Sequence, residues 1–432
     1  MITDDDRPLR IALLSYRSKP HVGGQGVYVR QLARALTDLG HRVEVVSGQP
    51  YPHLDDGIRL VELPSLDTWN DHFPARMPGL WEIKNWKDWV EVTSFSFGTF
   101  PEPLSFSLRA WDHLRHRRGD FDVVHDNQCL GYGLLGIQHA CPLLGTIHHP
   151  IAVDRRLELA HATSAYRRFA LRRWYGFTRM QARVARRLHR IMTVSESSRD
   201  DIVREYGVPR RRVHVVPVGV DTNQFRPTDT VNRVPGRIIT TASADVAMKG
   251  LCYLLEAVAK LRVERDVSLV VVGKARTNGS TAETLRRLGL TDAVEFVSGV
   301  AEERIRELYS EAELAVVPSL YEGFSLPAIE AMACAVPLIA TTGGALPEVV
   351  GRDGDTGLLV PPGDVEALAA KIRTALDDPA GRARIGAAGR RRVVERWSWR
   401  ATAEQTVEQY RSLLGERARA TATAAATTTS TC

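Results

Sequence analysis

Short apolar runs alternate with amphipathic segments along most of this 432-residue chain. The first cycle is an apolar run of strand length at residues 9–16, a glycine-rich turn, and a segment at 28–39 with apolar residues at helical spacing. Further apolar runs of strand length lie at residues 42–47, 121–125, 143–147 and 190–194. This alternation predicts an α/β fold, in which a parallel sheet is covered by helices on both faces.

The alternation pauses at residues 217–235, a largely polar stretch, and then restarts. The second series of apolar runs lies at residues 237–241, 268–272, 293–297, 314–317 and 337–340. A chain of this length exceeds one ordinary hydrophobic core, so two Rossmann-like, doubly wound domains are expected. We predict an N-terminal domain at 1–216, a linker at 217–235 and a C-terminal domain at 236–397.

The end of the chain divides into a helical segment and a low-complexity tail. A helix predicted at about 398–414 is expected to complete the N-terminal domain. Residues 416–432 are rich in alanine and threonine and contain few large apolar side chains. Such a composition cannot bury a core, so disorder is expected there.

Residues 66–111 do not follow the alternation and are rich in aromatic side chains. Half of the eight tryptophans of the chain lie within residues 69–89. An insert of this length is more often functional than filler. Three interpretations stay open, namely an acceptor-binding lobe, a shallow membrane contact, and a local aromatic core beneath a loop.

The net charge of +6 is spread unevenly along the chain. Between Arg155 and Arg190 there are eleven arginines and a single acid, Glu158. Helical spacing places many of these arginines on shared faces, which indicates either a membrane-surface or polyanion patch or a solvated face that pairs with acids elsewhere.

The sequence has no feature of a secreted or membrane-spanning protein. It contains no run of 18 apolar residues, and its first residues are acidic. The five cysteines are scattered without metal-ligand spacing. A cytoplasmic location is therefore expected, with peripheral contact at the inner face of a membrane as an extension.

Two carboxylates, Glu322 and Glu330, lie in an otherwise apolar segment after the run at 314–317. Gly323 follows the first acid, and Pro327 suits the first turn of a helix. A strand, a glycine turn and a helix together build an anion site, because free amides and the positive helix end face the ligand. The pair would hold a ligand whose hydroxyls flank a phosphate, whereas two solvated acids are the alternative.

The turn after the first strand, Gly23-Gly24-Gln25-Gly26, would also let backbone amides approach a phosphate. It lacks the third glycine of a dinucleotide fingerprint, so it is a weak signal for NAD and a better one for a generic phosphate turn. Ligands of paired Rossmann-like domains bind beyond the carboxyl ends of the strands, so a cleft between the domains is the expected site.

The segment from Glu322 to Glu330, with Gly343-Gly344 and Pro347-Glu348-Val349 after it, resembles the E-x7-E signature of glycosyltransferase family 4. Weaker matches to the same family are Thr146-Ile-His148, Thr193–Ser197, Val216–Asp221, Lys249-Gly250 and Trp397-Ser-Trp399. The resemblance covers nearly the whole chain. It implies a GT-B fold and a hexosyltransferase that moves a sugar, with retention, from a nucleoside-diphosphate sugar to a hydroxyl of a glycan, lipid or small molecule.

The resemblance implies roles for individual residues. The implied catalytic residues are His148, Lys249 and Glu322; His148 would reach the reacting sugar and Lys249 would neutralise the leaving diphosphate. His149 follows His148, so which of the two faces the sugar stays open. The implied donor-binding residues are Gly24, Lys249, Gly299, Glu322, Gly323, Phe324, Ser325, Leu326 and Glu330, with Glu330 on the ribose and Gly299 beside the nucleobase.

The family resemblance also implies that no metal and no cofactor take part and that the partner is a nucleotide sugar, not a nucleic acid. One departure concerns Ser243, which stands where the family usually has an arginine six residues before Lys249. Arg17 is a candidate to replace that charge.

Two rival functions stay open. One is another GT-B enzyme, such as a sugar-nucleotide epimerase or a phosphorylase. The other is a weakly active homologue that binds membranes or polyanions.

Overall fold

The computed structural model describes residues 7–18, 24–68, 76–228, 231–242, 244–275 and 279–429. Gly23 and Ser243, which the sequence singled out, lie outside the described residues. The chain forms two compact units. The first holds Met1–Val194, Arg199–Val216 and Arg400–Cys432, and the second holds Ser195–Ser198 and Pro217–Trp399.

The first unit contains a seven-stranded sheet in which every strand pair is parallel. Its strands are β1 (Arg10–Ser15), β2 (Arg42–Ser47), β3 (Arg59–Glu62), β4 (Val123–Asn127), β5 (Leu143–Thr146), β6 (Arg190–Thr193) and β7 (Val213–Val215). The helices of the chain before the second sheet are α1 (Gly24–Asp38), α2 (Trp86–Ser96), α3 (Glu102–Arg115), α4 (Gly133–Ala140), α5 (Ile151–His161), α6 (Ala165–Trp174), α7 (Thr178–Ala185) and α8 (Glu196–Asp201).

The second unit contains a six-stranded parallel sheet. Its strands are β8 (Arg237–Thr241), β9 (Ser268–Val272), β10 (Val294–Val297), β11 (Leu314–Val317), β12 (Leu338–Thr341) and β13 (Leu358–Val360). The remaining helices are α9 (Leu251–Leu261), α10 (Ser280–Leu288), α11 (Glu302–Glu311), α12 (Leu326–Ala333), α13 (Leu346–Val350), α14 (Val365–Asp377), α15 (Pro379–Arg396) and α16 (Trp399–Thr429).

Both sheets have the strand order of a Rossmann-like fold. The order is β3-β2-β1-β4-β5-β6-β7 in the first unit and β10-β9-β8-β11-β12-β13 in the second. The order reverses between β1 and β4 and again between β8 and β11, and ligands of such sheets bind beyond the strand ends at that reversal. The predicted α/β fold with two doubly wound parallel sheets is therefore confirmed.

Burial explains why the apolar pattern located the central strands. Residues 11–15 of β1 are fully buried, as expected for a strand covered by helices on both faces. The predicted strands at 42–47, 237–241, 268–272 and 314–317 coincide with β2, β8, β9 and β11. Strands β3, β7 and β13 were not predicted, because three or four residues at a sheet edge carry too little apolar pattern.

The segment predicted as a linker at 217–235 differs from that expectation where the structure describes it. It packs within the second unit, where Val218, Val220 and Phe225 are buried. The amide of Val220 donates to the carbonyl of Trp397 at 3.2 Å. Alternate valines of the segment are buried on one side. The average polarity of residues 217–235 does not show this alternation.

The last helix, α16, is longer than the one predicted at about 398–414, and it runs through most of the tail for which we expected disorder. Within the first unit, the phenol of Tyr410 lies 2.6 Å from Nδ1 of His125. Beyond residue 415, Glu416 accepts from Arg190 at 2.5 Å. Alanine has the highest helix propensity, so an alanine-rich tail extends a helix that is already anchored.

The insert at 66–111 forms α2 and α3. Helix α3 buries Phe106 and Ala110 in the core of the first unit, whereas Trp81, Trp86 and Trp89 are exposed. A local aromatic core therefore accounts for Phe106 and for Trp111, which packs against it, and not for these three tryptophans. Among the described residues, no helix is both long and apolar enough to cross a membrane.

Candidate active site

The centre of the candidate site in the second unit is an ion pair between two predicted residues. Nζ of Lys249 lies 2.8 Å from Oε1 of Glu322, and Oγ of Ser319 donates to the same oxygen at 2.7 Å. The Glu322 side chain is 11% exposed and the Lys249 side chain 29%. Lys249 follows β8 and Glu322 follows β11, so both residues lie at the reversal of strand order where ligands bind.

Two glycines allow the loops that carry this pair to approach each other. Gly250 has φ +66°, and a Cβ there would lie 2.0 Å from the carbonyl oxygen of Pro318. Gly344 has φ +63°, and its Cβ would lie 2.2 Å from the carbonyl oxygen of Glu322. Residues with side chains would push both loops apart, so these glycines set the position of Lys249 and Glu322.

Residues 323–326 form the turn that leads into α12. Ser325 has φ +94°, which is strained for a residue with a side chain, and its buried hydroxyl has no hydrogen-bond partner among the described residues. The ring of Phe324 is buried edge-on against Trp397, with centroids 5.6 Å apart. Phe324 can therefore offer a ligand its backbone amide rather than its ring. Leu326 is the first residue of α12, at the helix end whose amides have no intrahelical acceptor.

Glu330 lies on α12 beside a buried tyrosine. Burial first and the Glu330 carboxylate second raise the pKa of Tyr309 well above its usual value. Oη of Tyr309 also lies 3.0 Å from Oγ1 of Thr241, the last residue of β8. Glu330 itself is half-buried.

A second matched segment contacts the E-x7-E segment within the second unit. Oγ of Ser195 donates to the carbonyl of Gly323 at 2.7 Å. The Glu348 carboxylate accepts from the amides of Glu196 at 2.9 Å and Ser197 at 2.7 Å. Residues 195–197 of the first match are thus joined to the matches at 322–330 and 347–349 within the second unit, and the hydroxyl of Ser195 holds the turn at Gly323.

Gly299 lies two residues after β10 and has φ +70°. A Cβ at this position would meet nothing within 4 Å, so the glycine serves the turn and not a close approach. No contact of the described residues tests its predicted place beside a nucleobase.

In the first unit, His148 lies in the loop after β5. Its Nε2 is 2.8 Å from Oδ1 of Asn127, and its amide donates to Oε1 of Gln128 at 2.7 Å. The ring meets Tyr28 of α1 edge-on, with centroids 4.6 Å apart. Burial first and neighbouring His149 second lower the pKa of His148 to about 3, so the ring is neutral at pH 7.

His149 has a different environment from His148. Its Nε2 lies 3.0 Å from Oδ1 of Asp154, within the same loop and α5. Gly24 begins α1, the helix that carries Tyr28, so it lies at a helix end suited to anions. The structure thus joins His148 to the end of β4 and to α1, whereas His149 pairs with α5.

Several residues of these clusters were not predicted to belong to the site, although Glu348 lies in a matched motif. Ser319, Tyr309 and Glu348 support the predicted acids and their turn, and Asn127 with Gln128 holds His148. The polar pair Asn127-Gln128, at the end of β4 and directly after it, was a usable signal, since such ends line ligand sites in parallel sheets. Tyr309 carried no such signal, because a tyrosine in an amphipathic helix is ordinarily a core residue.

Comparisons with known proteins agree with these features. Residues 22–224 match the family Glycosyltransferase Family 4, and residues 227–392 match Glycosyl transferases group 1. The MMP alpha-(1->4)-mannosyltransferase of Mycolicibacterium hassiacum is 53% identical over 404 residues, which cover 93% of this chain and 98% of that protein.

Two solved structures show the same fold. Sucrose-phosphate synthase from Thermosynechococcus elongatus matches with a TM-score of 0.72 at 24% identity, over 94% of this chain and 100% of that one. HepE of Anabaena in complex with UDP-glucose matches with a TM-score of 0.68 at 18% identity, over 94% and 100%. The fold is therefore of the GT-B type, and the chain is a glycosyltransferase that belongs to glycosyltransferase family 4.

Proposed function

We propose that this enzyme transfers a mannosyl group from a nucleoside-diphosphate mannose to a hydroxyl of a carbohydrate acceptor, with an α-(1→4) linkage as the product. The sugar and the linkage follow the name of the Mycolicibacterium hassiacum relative, which is 53% identical over nearly the full length of both chains. A nucleotide sugar donor agrees with the UDP-glucose bound to HepE, a protein of the same fold.

The observation that carries the mechanism is the position of Lys249 at the reversal of strand order in the second unit. Its ammonium group lies 2.8 Å from Glu322, one residue before Gly323 and the amides that lead into α12. An ammonium group and helix-end amides together can bind a diphosphate and stabilise the charge that develops as it leaves. Metal-independent turnover is part of the proposal, because these groups supply the charge stabilisation.

The proposed step retains anomeric configuration through attack on the face that the diphosphate leaves. The bond from C1 of the sugar to the diphosphate oxygen breaks, and a bond from the acceptor oxygen to C1 forms. The acceptor proton passes to the departing diphosphate, so no protein nucleophile is needed. Glu322 would hydrogen-bond the donor sugar, and the neutral ring of His148 would orient the reacting sugar without adding charge.

The remaining roles are proposals for binding. Glu330 would accept hydrogen bonds from the ribose hydroxyls, and its position beside the buried Tyr309 supports a fixed carboxylate. Gly299 would border the nucleobase, and the amide of Gly24 would approach the phosphates. The first unit would receive the acceptor. We also propose a cytoplasmic location, with contact to a membrane surface through the basic helices between Arg155 and Arg190.

The decisive experiment is incubation with GDP- and UDP-activated mannose and glucose, with and without a mannoside acceptor whose 4-hydroxyl is free. We expect nucleoside diphosphate release with a mannose donor, an α-(1→4) product by NMR, and the same rate in EDTA. A β-linked product would contradict retention, since the donor is the α anomer. Transfer of glucose with no transfer of mannose would contradict the proposed donor.

A further inference from the structure

Exposed aromatic side chains are concentrated in two segments of the first unit. Large aromatic residues are exposed at seven positions of the described chain, and Tyr132 alone lies outside residues 81–97 and 166–169. The other six, with exposures from 53% to 84%, are Trp81, Trp86, Trp89, Phe97, Tyr166 and Phe169. Exposed aromatic residues at this density mark a binding surface rather than ordinary surface variation.

Helix α2 and the residue directly after it present three exposed aromatic side chains as one stripe. Trp86, Trp89 and Phe97 follow helical spacing of three and then eight residues, so they lie on the same face. The stripe is about 16 Å long at 1.5 Å per residue. The opposite face of α2 buries its two acids, Asp88 and Glu91, so no carboxylate of α2 shares the aromatic face.

Helix α6 joins this stripe directly. Nε of Arg173 donates to the carbonyl of Phe97 at 2.8 Å, and the same guanidinium lies 5.6 Å from the ring centroid of Phe169. The amide of Phe100 donates to the carbonyl of Trp174 at 3.2 Å, and their rings are 5.3 Å apart. The end of α2 and the face of α6 therefore form one continuous surface, which we call the α2–α6 face.

The charge of the α2–α6 face is positive. Helix α6 contains no acid, and its arginines at 167, 168, 172 and 173 are exposed. The acids of the neighbouring segment 76–100 each form an ion pair with an arginine outside α6. Glu82 pairs with Arg76, and Arg109 contacts Asp88 at 2.7 Å and Glu91 at 2.8 Å. No acid of these two segments is left to neutralise the arginines of α6.

We infer that the α2–α6 face docks on an anionic lipid surface. Tryptophan rings reside at the headgroup level of a bilayer, and arginines beside them attract anionic lipids. The charge complementarity selects this occupant over a neutral glycan, which has no charge to pair with four exposed arginines. The inference rests on the membrane contact named in the proposed function, and it moves that contact from the whole 155–190 segment to α6 and the aromatic insert.

Vesicle sedimentation of the full chain tests the inference. We expect binding to vesicles of phosphatidylcholine mixed with phosphatidylglycerol, weak binding to phosphatidylcholine alone, and a loss of binding at high salt. The double variant Arg167→Gln/Arg172→Gln should partition about 25-fold less, at about fivefold for each arginine near an anionic surface. The variant Trp86→Ser/Trp89→Ser should also lose binding. Both pairs are exposed, so folding is retained.

A matched control is Arg391→Gln/Arg396→Gln, which removes two exposed arginines of α15 and should bind vesicles as the wild type does. The inference would be overturned if the wild-type protein did not bind anionic vesicles. It would also be overturned if the control variant lost as much vesicle binding as the α6 variant. Retained vesicle binding with a raised KM for a dissolved acceptor in the tryptophan variant would assign the face to a glycan instead. Nucleotide release without lipid tests the transferase proposal separately.

Discussion

The substitution Lys249→Ala tests the centre of the proposed site through two independent measurements. The ammonium group donates to Oε1 of Glu322 at 2.8 Å, and the carboxylate side chain is only 11% exposed. Without Lys249, this carboxylate keeps the Ser319 hydroxyl as its remaining donor among the hydrogen bonds described above. Loss of one partner of a largely buried charged pair costs about 1–3 kcal/mol, more than the 0–1 kcal/mol of an exposed pair.

We expect a stability loss of about 2 kcal/mol, which lowers Tm by about 4–8 °C for a unit of about 200 residues. The catalytic loss should be larger. Removal of one group that stabilises developing charge lowers kcat by about 10²- to 10³-fold, or about 2.7–4 kcal/mol. KM for the donor should change less, because the interaction strengthens as the diphosphate leaves.

The control is Lys260→Ala, which breaks an ion pair with Glu366 whose side chains are 48% and 78% exposed. This variant should keep kcat and lose less than about 1 kcal/mol. Calorimetric Tm, steady-state nucleotide release and binding of the free nucleoside diphosphate are measured on all three proteins. A Lys249→Ala variant with a lowered Tm and wild-type kcat would refute the leaving-group role and leave the residue a structural one.

Three further predictions concern single residues. Glu330→Ala should raise the donor KM about 10- to 100-fold, because a charged acceptor is worth about 1.5–3 kcal/mol, and an unchanged KM would contradict its ribose role. Ser325→Gly should raise Tm by relieving the φ of +94°, worth about 1 kcal/mol after the entropy cost of glycine, and a lower Tm would show that the hydroxyl matters more. His125, with a pKa lowered to about 3 by burial, takes up its proton only in the unfolded chain between about pH 6.5 and 3. The contribution of His125 to stability should therefore be full above pH 6.5 and fall by about 1.4 kcal/mol per pH unit below it, and His148, whose pKa is lowered to the same value, should add a similar slope. A His125→Gln variant with the same slope in a pH series of Tm would disprove that origin.

The sequence was sufficient for features that are local or strongly patterned. The central strands are buried on both faces, so they appear as apolar runs, and four of them coincide with the predicted bounds. The turn at Gly323 and a helix with Pro327 in its first turn are also encoded by consecutive residues. The edge strands β3, β7 and β13 and the packed segment at 217–235 lack such patterns, because their burial comes from distant partners.

The residues that support the site also divide into those with a local sequence signal and those whose role depends on a distant partner. Ser319 donates to Glu322, and Asn127 holds His148 from a neighbouring strand, at a separation of 21 residues. A polar residue after a strand predicts a ligand site in general terms, but its partner depends on which strands are neighbours. The sequence also did not predict that the tryptophans of the insert are exposed, since composition alone does not distinguish a buried aromatic core from a surface stripe.

By itself the sequence determined the fold class and the family, because apolar periodicity and a contiguous motif are local properties of the chain. Only the tertiary structure decided that Lys249 forms an ion pair with Glu322, which is 73 residues away in the sequence. The reason is that β8 and β11 are adjacent in the sheet while two strands and three helices separate them along the chain. It also decided that the aromatic stripe of α2 and the arginines of α6 share one surface.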